Sequence, residues 1–574
     1  MKLGSLESFG SALNALDEVW AVVRILDWHG GDPSVPAQLP DISLEATAKR
    51  AAIGRSVLER IARIDVSVLP HDLPITLELA RQVADRWARE EDWYWLVFDP
   101  LGIGFYGMFA PTAYCAGVLQ SSLARTFSGH RFASPGDGDR YVGLVRDYGR
   151  LVRQMLDRTS GQFERGIVMP KPQLDQAVVL MRGLAAGTDA ILTPGRARLS
   201  ALDADDVLDR TAAAIIRDVA PAFDAFLTLL DSADYVAAAP ESVGIAQYPG
   251  GAEVYEELVR LHTTLDLSPG QVHAIGLARM AEIQAQMRTL LDEIGFSGGP
   301  TDYIDHISAD PRWRASGAKD IGHVFERYID RIAPHIDPNF NFKPKSGHGV
   351  QPLPAALEAS MTFGFYARPT TTESRGLYNF NSANLANAPL HDLGALTFHE
   401  LVPGHHFHFA TQEENENLHP LRRKAFINAF NEGWAEYAAS FAGEIGLYPE
   451  PEERFGRLTT HAFLTCRLVV DTGMNALSWS LEEARDYMSK NAFMREPEIH
   501  SESIRYSCDI PGQSLAYKLG DTEMFEAREE MRATLGDRFD IRDFHDALLM
   551  PGALPLTLMR QAVREQTRRL AAEL

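Results

Sequence analysis

The stretch "LTFHELVPGHHFHFATQ", Leu396–Gln412, decides how this chain is read. A helical zinc site places two histidines four residues apart, one turn, so that both rings face one ion and a glutamate between them reaches its bound water. Here His399 and Glu400 are followed by Leu401, Val402, Pro403 and Gly404, and the next histidines are His405 and His406. On an ideal helix His406 would share a face with His399 but lie about 10 Å further along the axis, too far for one ion. The regular helix must therefore change between them. Pro403 lacks a donor and crowds the preceding turn, and Gly404 tolerates the unusual dihedrals that follow. Leaving out the Pro-Gly pair restores His-Glu-x-x-His, so His405 is preferred over His406 as the second ligand, with both retained as alternatives.

A carboxylate would complete a two-His, one-Glu catalytic site that leaves a position for water. In "KAFINAFNEGWAEYAASFAGEIGL" the residues Phe426, Phe430, Trp434, Tyr437 and Phe441 form an apolar helical stripe, while Glu432 and Glu436 fall one turn apart on another face. A second helix crossing the first could present Glu432 to the metal and turn Glu436 towards a ligand histidine as its outer partner. A lone histidine or glutamate would read as a satisfied core group or a solvated one. Four histidines between 399 and 408, with an adjacent glutamate and an acidic helix downstream, point to a metal instead. One zinc ion per chain is expected, and nitrogen and oxygen ligands also admit manganese, cobalt or iron.

Composition limits the remaining choices. The chain has 574 residues, 45% hydrophobic and 23% charged, enough to bury a large core. Its net charge of −23 opposes binding to nucleic-acid phosphate or anionic lipid. The opening residues carry Asp and Glu and no apolar run of signal length, so a cytoplasmic protein is expected. Three cysteines without a Cys-x-x-Cys pair exclude a disulfide framework and a thiolate metal site.

Helical periodicity runs through most of the chain, as in "SLEATAKRAAIGRSVLERIARI", "VGLVRDYGRLVRQMLDR", "PGQVHAIGLARMAEIQAQMRTLLDEIG" and "LPLTLMRQAVREQTRRLAAEL". Pro- and Gly-rich stretches such as "FKPKSGHGVQPLP" read as loops. Strand-like patterns are confined to "ALEASMTFGFYAR" and "RGLYNFN", which predict a small sheet beside the site, with an edge on which an extended peptide could lie. The fold class is mainly α, with an N-terminal helical subdomain over 1–140, a catalytic domain over 141–574, and both motif helices within 392–445. Gly102-x-Gly104-x-x-Gly107 spells a dinucleotide fingerprint, but no acidic residue follows at the ribose distance and no alternating strands and helices surround it. A close-packed aromatic turn is the better account.

For amide hydrolysis Glu400 would serve as the base. The oxyanion would need a donor, for which Tyr517, in "IRYSCDIPGQSLAYKLG", is the first choice. Arg505 and Lys518 could hold a substrate carboxylate. Tyr506, Gln513 and, from the strand region, Tyr378 are further substrate-contact candidates. His406 could donate to the substrate or orient Glu436, and His408 could lie behind the ligands.

These residues resemble a large bacterial family, domain of unknown function 885, whose members carry His-Glu-x-x-Pro-Gly-His-His followed by Glu-Gly-Trp-Ala. The likeness extends from about residue 145 to the C-terminus, through "FERGIVMPKPQLDQAV", "RYSCDIPGQSLAYKLG" and "FHDALLMPGALPLTLM". It implies a fold like the helical metallopeptidases carboxypeptidase Taq and neurolysin, with two helical lobes around a deep cleft. It also implies His399, His405 and Glu432 as ligands and Glu400 as base. His408 stands where many relatives have Gln. The expected function is a zinc-dependent hydrolase of peptide or amide bonds, acting on short peptides or near a C-terminal carboxylate. A tailoring enzyme for a small non-peptide metabolite and a non-catalytic helical binding protein are the alternatives.

Overall fold

The computed structural model describes residues 3–26, 38–70, 72–102, 104–353, 358, 363–369 and 373–572, and it divides into two compact units. One unit is Met1–Tyr255 with Ser507–Pro511, and the other is Glu256–Tyr506 with Gly512–Leu574. The division falls after Tyr255 and not at residue 140, through which the helix Pro135–Phe163 runs unbroken.

In the first unit α1 (Leu3–Leu26), α2 (Leu44–Ile61) and α3 (Leu73–Trp93) pack together, and α4 (Pro135–Phe163) packs on α5 (Ala220–Leu230). The helix starts follow their caps. Ser43 accepts from the Ala46 amide at 3.2 Å, and ahead of α4 the Asp137 carboxylate accepts from the Ser134 amide and hydroxyl at 2.6 and 2.8 Å. The glycine-rich turn is not a nucleotide loop. Asp99 accepts from the amides of Leu101, Gly102 and Gly104, and Phe98 and Gly107 exchange backbone hydrogen bonds at 2.9 Å. Ser507–Pro511 belongs to this unit through Asp509. Its carbonyl accepts from Met108 N at 3.0 Å, and its carboxylate takes the Thr112 hydroxyl and the Tyr114 amide.

The second unit carries α6 (Pro269–Glu293), α7 (Ala318–Ile332), β1 (His348–Pro352), β2 (Gly364–Ala367) and β3 (Gly376–Phe380). There follow α8 (Leu393–Glu400), α9 (His405–Glu414), α10 (Asn428–Glu444), α11 (Pro451–Ala476), α12 (Glu496–Ile504), α13 (Ala516–Leu535) and α14 (Leu556–Ala572). The sheet order is β1-β3-β2, with β1 parallel and β2 antiparallel to β3. The central strand β3 is buried along its whole length, because Phe325 of α7 packs against Tyr378 and Phe380 from one side. A helical fold with one small sheet is what the sequence predicts, but β1 forms inside "FKPKSGHGVQPLP", which reads as a loop. Of "ALEASMTFGFYAR", residues 356–357 and 359–362 lie outside the described residues. The predicted stripe on α10 is core: Trp434, Tyr437 and Phe441 close on Phe340 and His545. Among the described residues no helix is long and apolar enough to cross a membrane. Cys115 and Cys466 are buried and unpaired, and the Cys508 side chain lies outside the described residues.

Candidate metal centre

The interrupted motif is two helices. α8 ends at Glu400, Leu401 takes φ −114° and ψ −102°, Gly404 takes ψ −128°, and α9 begins at His405. Gly404 passes so close to the end of α8 that a Cβ would lie 1.9 Å from the His399 carbonyl oxygen and 2.4 Å from that of Phe398. Only glycine fits this return. The loop closes through Phe407 N to Leu401 O at 3.3 Å and His408 N to Gly404 O at 3.1 Å.

The break brings His405 beside His399. Their rings stand nearly perpendicular, 4.8 Å between centroids, and Glu432 Oε2 lies 3.6 Å from His399 Nε2 and 3.3 Å from His405 Nε2. Ligand atoms of His399, His405 and Glu432 all fall within 4.8 Å of one another. His406 is not part of this cluster. Two imidazole nitrogens and one carboxylate oxygen converging in this way fit a single divalent ion with a coordination position left over.

Each residue of Glu432-Gly433-Trp434-Ala435-Glu436 has a visible role. Gly433 lets α10 cross α13 at backbone contact, where a Cβ on Gly520 would lie 2.0 Å from Ala429 O and one on Gly433 2.5 Å from the Gly520 carbonyl carbon. The Trp434 indole N–H donates to the carbonyls of Pro403 (2.9 Å) and Gly404 (3.3 Å), so α10 supports the break that places His405. Ala435 is fully buried. Glu436 Oε1 accepts from His399 Nδ1 at 2.8 Å and Oε2 takes Arg457 Nη2 at 2.8 Å. This carboxylate fixes the ring by its Nδ1 and turns Nε2 towards Glu432.

Burial alone would lower the pKa of His399, but Glu432 and Glu436 beside its two nitrogens push it up to about 10. Burial would raise Glu432, yet His405 and His399 hold it below the usual carboxylate range. Glu400 is raised by burial, against the lowering effect of His399 and His405.

The remaining candidates separate into two groups. Tyr517 lies at the centre: its ring stacks on His399 at 6.2 Å, Gln513 hydrogen-bonds it, and Arg467 covers its other surroundings with the guanidinium 4.6 Å from the ring. Arg505 donates to Gln513 Oε1 at 2.6 Å and pairs with Glu502 at 3.5 Å. Gln513 also bonds Asn428 at 3.3 Å, tying this wall to α10.

Others are used elsewhere. Lys518 is not a substrate contact, since its ammonium is buried in an ion pair with Asp521 one turn along α13. Tyr506 is fully buried, donating to Glu502 and accepting from Arg467 Nε at 2.7 Å. Tyr378 is fully buried and donates to Phe363 O at 3.2 Å. His406 neither orients Glu436 nor faces the ligands, because Tyr366 occupies Nδ1 at 3.0 Å and Ser346 O occupies Nε2 at 3.1 Å. His408 packs between Phe409 and Phe430, and among the described residues neither ring nitrogen has a hydrogen-bond partner.

Sequence reading missed Arg457, Arg467, Glu502 and Tyr366. Arg467 had a signal: a cation inside the otherwise apolar run "AFLTCRLVV" of a helix must find a buried anion. That anion is Glu502, at 3.1 Å.

A family model for "Bacterial protein of unknown function (DUF885)" matches residues 29–563. The chain belongs to this family. The crystal structure of a "putative lipoprotein" from Colwellia psychrerythraea is 23% identical, covers 99% of each chain and has a TM-score of 0.84. A "putative lipoprotein of unknown function" from Shewanella oneidensis is 17% identical, covers 96% of this chain and 98% of its own, and has a TM-score of 0.69. At such identities the likeness is one of fold. No curated protein matches.

Proposed function

We propose that the protein is a metal-dependent hydrolase of amide bonds, with zinc as the ion and short peptides, bound near a C-terminal carboxylate, as substrates. The observation that carries this reading is Glu400, the last helical residue before the break, which feels the charge of His399, His405 and Glu432, three groups that would leave an ion a coordination position for water. When bound to His399, His405 and Glu432, such an ion supplies Lewis acidity and a water of lowered pKa. Glu400 accepts the proton of the attacking water and delivers it to the leaving nitrogen. Its burial-raised pKa suits a group that must hold that proton briefly. Tyr517, lying against His399, donates to the developing oxyanion, and Arg505, held by Glu502 and Gln513, meets a substrate carboxylate.

The test is elemental analysis of the protein beside Glu400→Gln and Glu432→Ala, with peptide-library digestion of the same samples. Glu400→Gln should retain about one zinc per chain and lose turnover by several orders of magnitude. Full activity in that variant sinks the mechanism. Glu432→Ala should lose the metal, and stoichiometric retention sinks the ligand assignment.

A small-molecule amide is the second reading. It is favoured by the burial of Arg505 and Gln513, each 9% exposed or less, which leaves little open surface for a long peptide. Zinc without peptide cleavage would support it. A cytoplasmic site of action is part of the proposal, and the description of both structural neighbours as lipoproteins argues for an envelope site instead. Fractionation of the native protein decides between them.

A further inference from the structure

Arg467 of α11 is buried inside the apolar run "AFLTCRLVV", and its guanidinium is pinned. Nη2 donates to Glu502 Oε2 at 3.1 Å, and Nε donates to the Tyr506 oxygen at 2.7 Å. The Tyr506 hydroxyl in turn donates to Glu502 Oε2, so the three side chains close a ring of hydrogen bonds. The plate fixed in this way lies 4.3 Å from the centre of the Phe463 ring, one turn back on α11, and 4.6 Å from the centre of the Tyr517 ring. A buried ion pair adds little net stability, because the desolvation of both charges offsets their attraction. What this pair supplies is direction. Two bonds to a planar guanidinium fix its orientation, which a flexible ammonium would leave free.

Tyr517 has need of such a hold. It stands in the first turn of α13 and is only half-buried, and its ring lies parallel to that of His399, 13° apart in plane and 6.2 Å between centroids. A cation over an aromatic face is attracted by the ring quadrupole, so Arg467 draws this ring to a fixed place. The same helix sets the chain that leads into Tyr517. Asp471, one turn beyond Arg467, accepts from the Gly512 amide at 3.0 Å and the Ser514 hydroxyl at 2.7 Å. Arg457, further back on α11, holds Glu436. Both neighbours of the His399 ring, Tyr517 and Glu436, are therefore braced from one element.

We propose that Arg467, pinned by Glu502 and Tyr506, is the positioning residue of Tyr517 and keeps its ring alongside His399, ready for an oxyanion formed at the centre. The oxyanion step rests on the hydrolase reading, and the hold on the ring does not. Arg467 touches no substrate, so its replacement lowers turnover and leaves KM nearly unchanged.

The hold is tested in metal-free protein carrying 3-fluorotyrosine, by fluorine NMR, with the Tyr517 signal assigned from Tyr517→Phe. Arg467→Lys keeps the charge and loses the plate. The Tyr517 signal should move or broaden, while those of Tyr378 and Tyr437, packed against Phe325 and His545, stay in place. Tyr506→Phe, which removes only the hydroxyl at Arg467 Nε, should move it too and serves if Arg467→Lys does not fold. An unmoved Tyr517 signal in the folded variant overturns the proposal. The link to chemistry is a double-mutant cycle on the affinity of acetohydroxamate for zinc-loaded protein. Arg467→Lys and Tyr517→Phe should each weaken it about three- to tenfold, the worth of one hydrogen bond. The double variant should bind no more weakly than Tyr517→Phe alone. Losses that add would make Arg467 structural only and overturn the proposal. Parental affinity in Tyr517→Phe would instead remove Tyr517 from the hydrolase reading and leave the fluorine result standing.

Discussion

At the scale of single residues, the site depends on close approaches that a methyl group would destroy. Gly404→Ala places a Cβ 1.9 Å from the His399 carbonyl, and overpacking of this kind costs about 1–3 kcal/mol. The displaced loop carries His405 with it, so thermal denaturation should show the loss and elemental analysis a fall in zinc. Glu436→Gln keeps the shape but weakens the hold on His399 Nδ1, and metal affinity should drop about 10- to 100-fold, as for other outer partners. Unaltered affinity by competition with a chelator would contradict the role given to Glu436. The pH dependence follows from His399. Its folded pKa of about 10 lies above the ~6.5 of an unperturbed histidine. Its protonation therefore stabilises the metal-free protein fully below about pH 6.5, and that contribution is lost as pH rises through about 10. Since the ion needs a bare Nε2, uptake should release a proton and tighten with rising pH over this window. Calorimetry in two buffers of different ionisation enthalpy measures the proton, and none released at pH near 7.5 would exclude the pairing described. That His399, His405 and Glu432 come together, with Glu436 against His399, was legible because spacing on a helix fixes which side chains meet. Lys518 and Tyr506 were not, because spacing says nothing of which buried anion, Asp521 or Glu502, claims a polar group first.

At the scale of elements, one helix braces the break in another. Trp434→Phe removes the donor shared by the carbonyls of Pro403 and Gly404, and stability should fall by about 1–3 kcal/mol for the buried acceptors left unpaired. A variant as stable as the parent in urea would show that the loop holds itself. The helices in "SLEATAKRAAIGRSVLERIARI" and "PGQVHAIGLARMAEIQAQMRTLLDEIG" were legible from their periodicity. The strands were less so. β1 is short, carries Gly349 and ends at Pro352, and its partner β3 lies 28 residues further on with a parallel register that leaves no local signature. β3 shows alternation that suggests one wet face, but α7 on one side and the motif helix on the other dry both.

At the scale of the molecule, the His399, His405 and Glu432 cluster that could hold a metal lies wholly within the second unit. If the ion binds only the folded state, saturation at a hundred times Kd adds about 2.7 kcal/mol. Chelation should lower the melting temperature of the native protein and leave Glu432→Ala unmoved, and equal shifts in both would place the ion elsewhere. The unit boundary was not legible, because composition does not change at residue 255 and no pattern marks Ser507–Pro511 as a return into the first unit. The family match spans both units, so neither is an accessory added to the other. The contact between Gly433 and Gly520 has a consequence for reading other sequences. Each glycine sits inside a helix, where it costs about 1 kcal/mol relative to alanine, and together they set how far Tyr517 stands from Glu432. Architecture and chemistry therefore leave separate fingerprints. A relative keeping both glycines but lacking Glu400 would share the scaffold without the proposed base, whereas one keeping Glu400 but bulking up the crossing would have to bring Tyr517 and Glu432 together by another route.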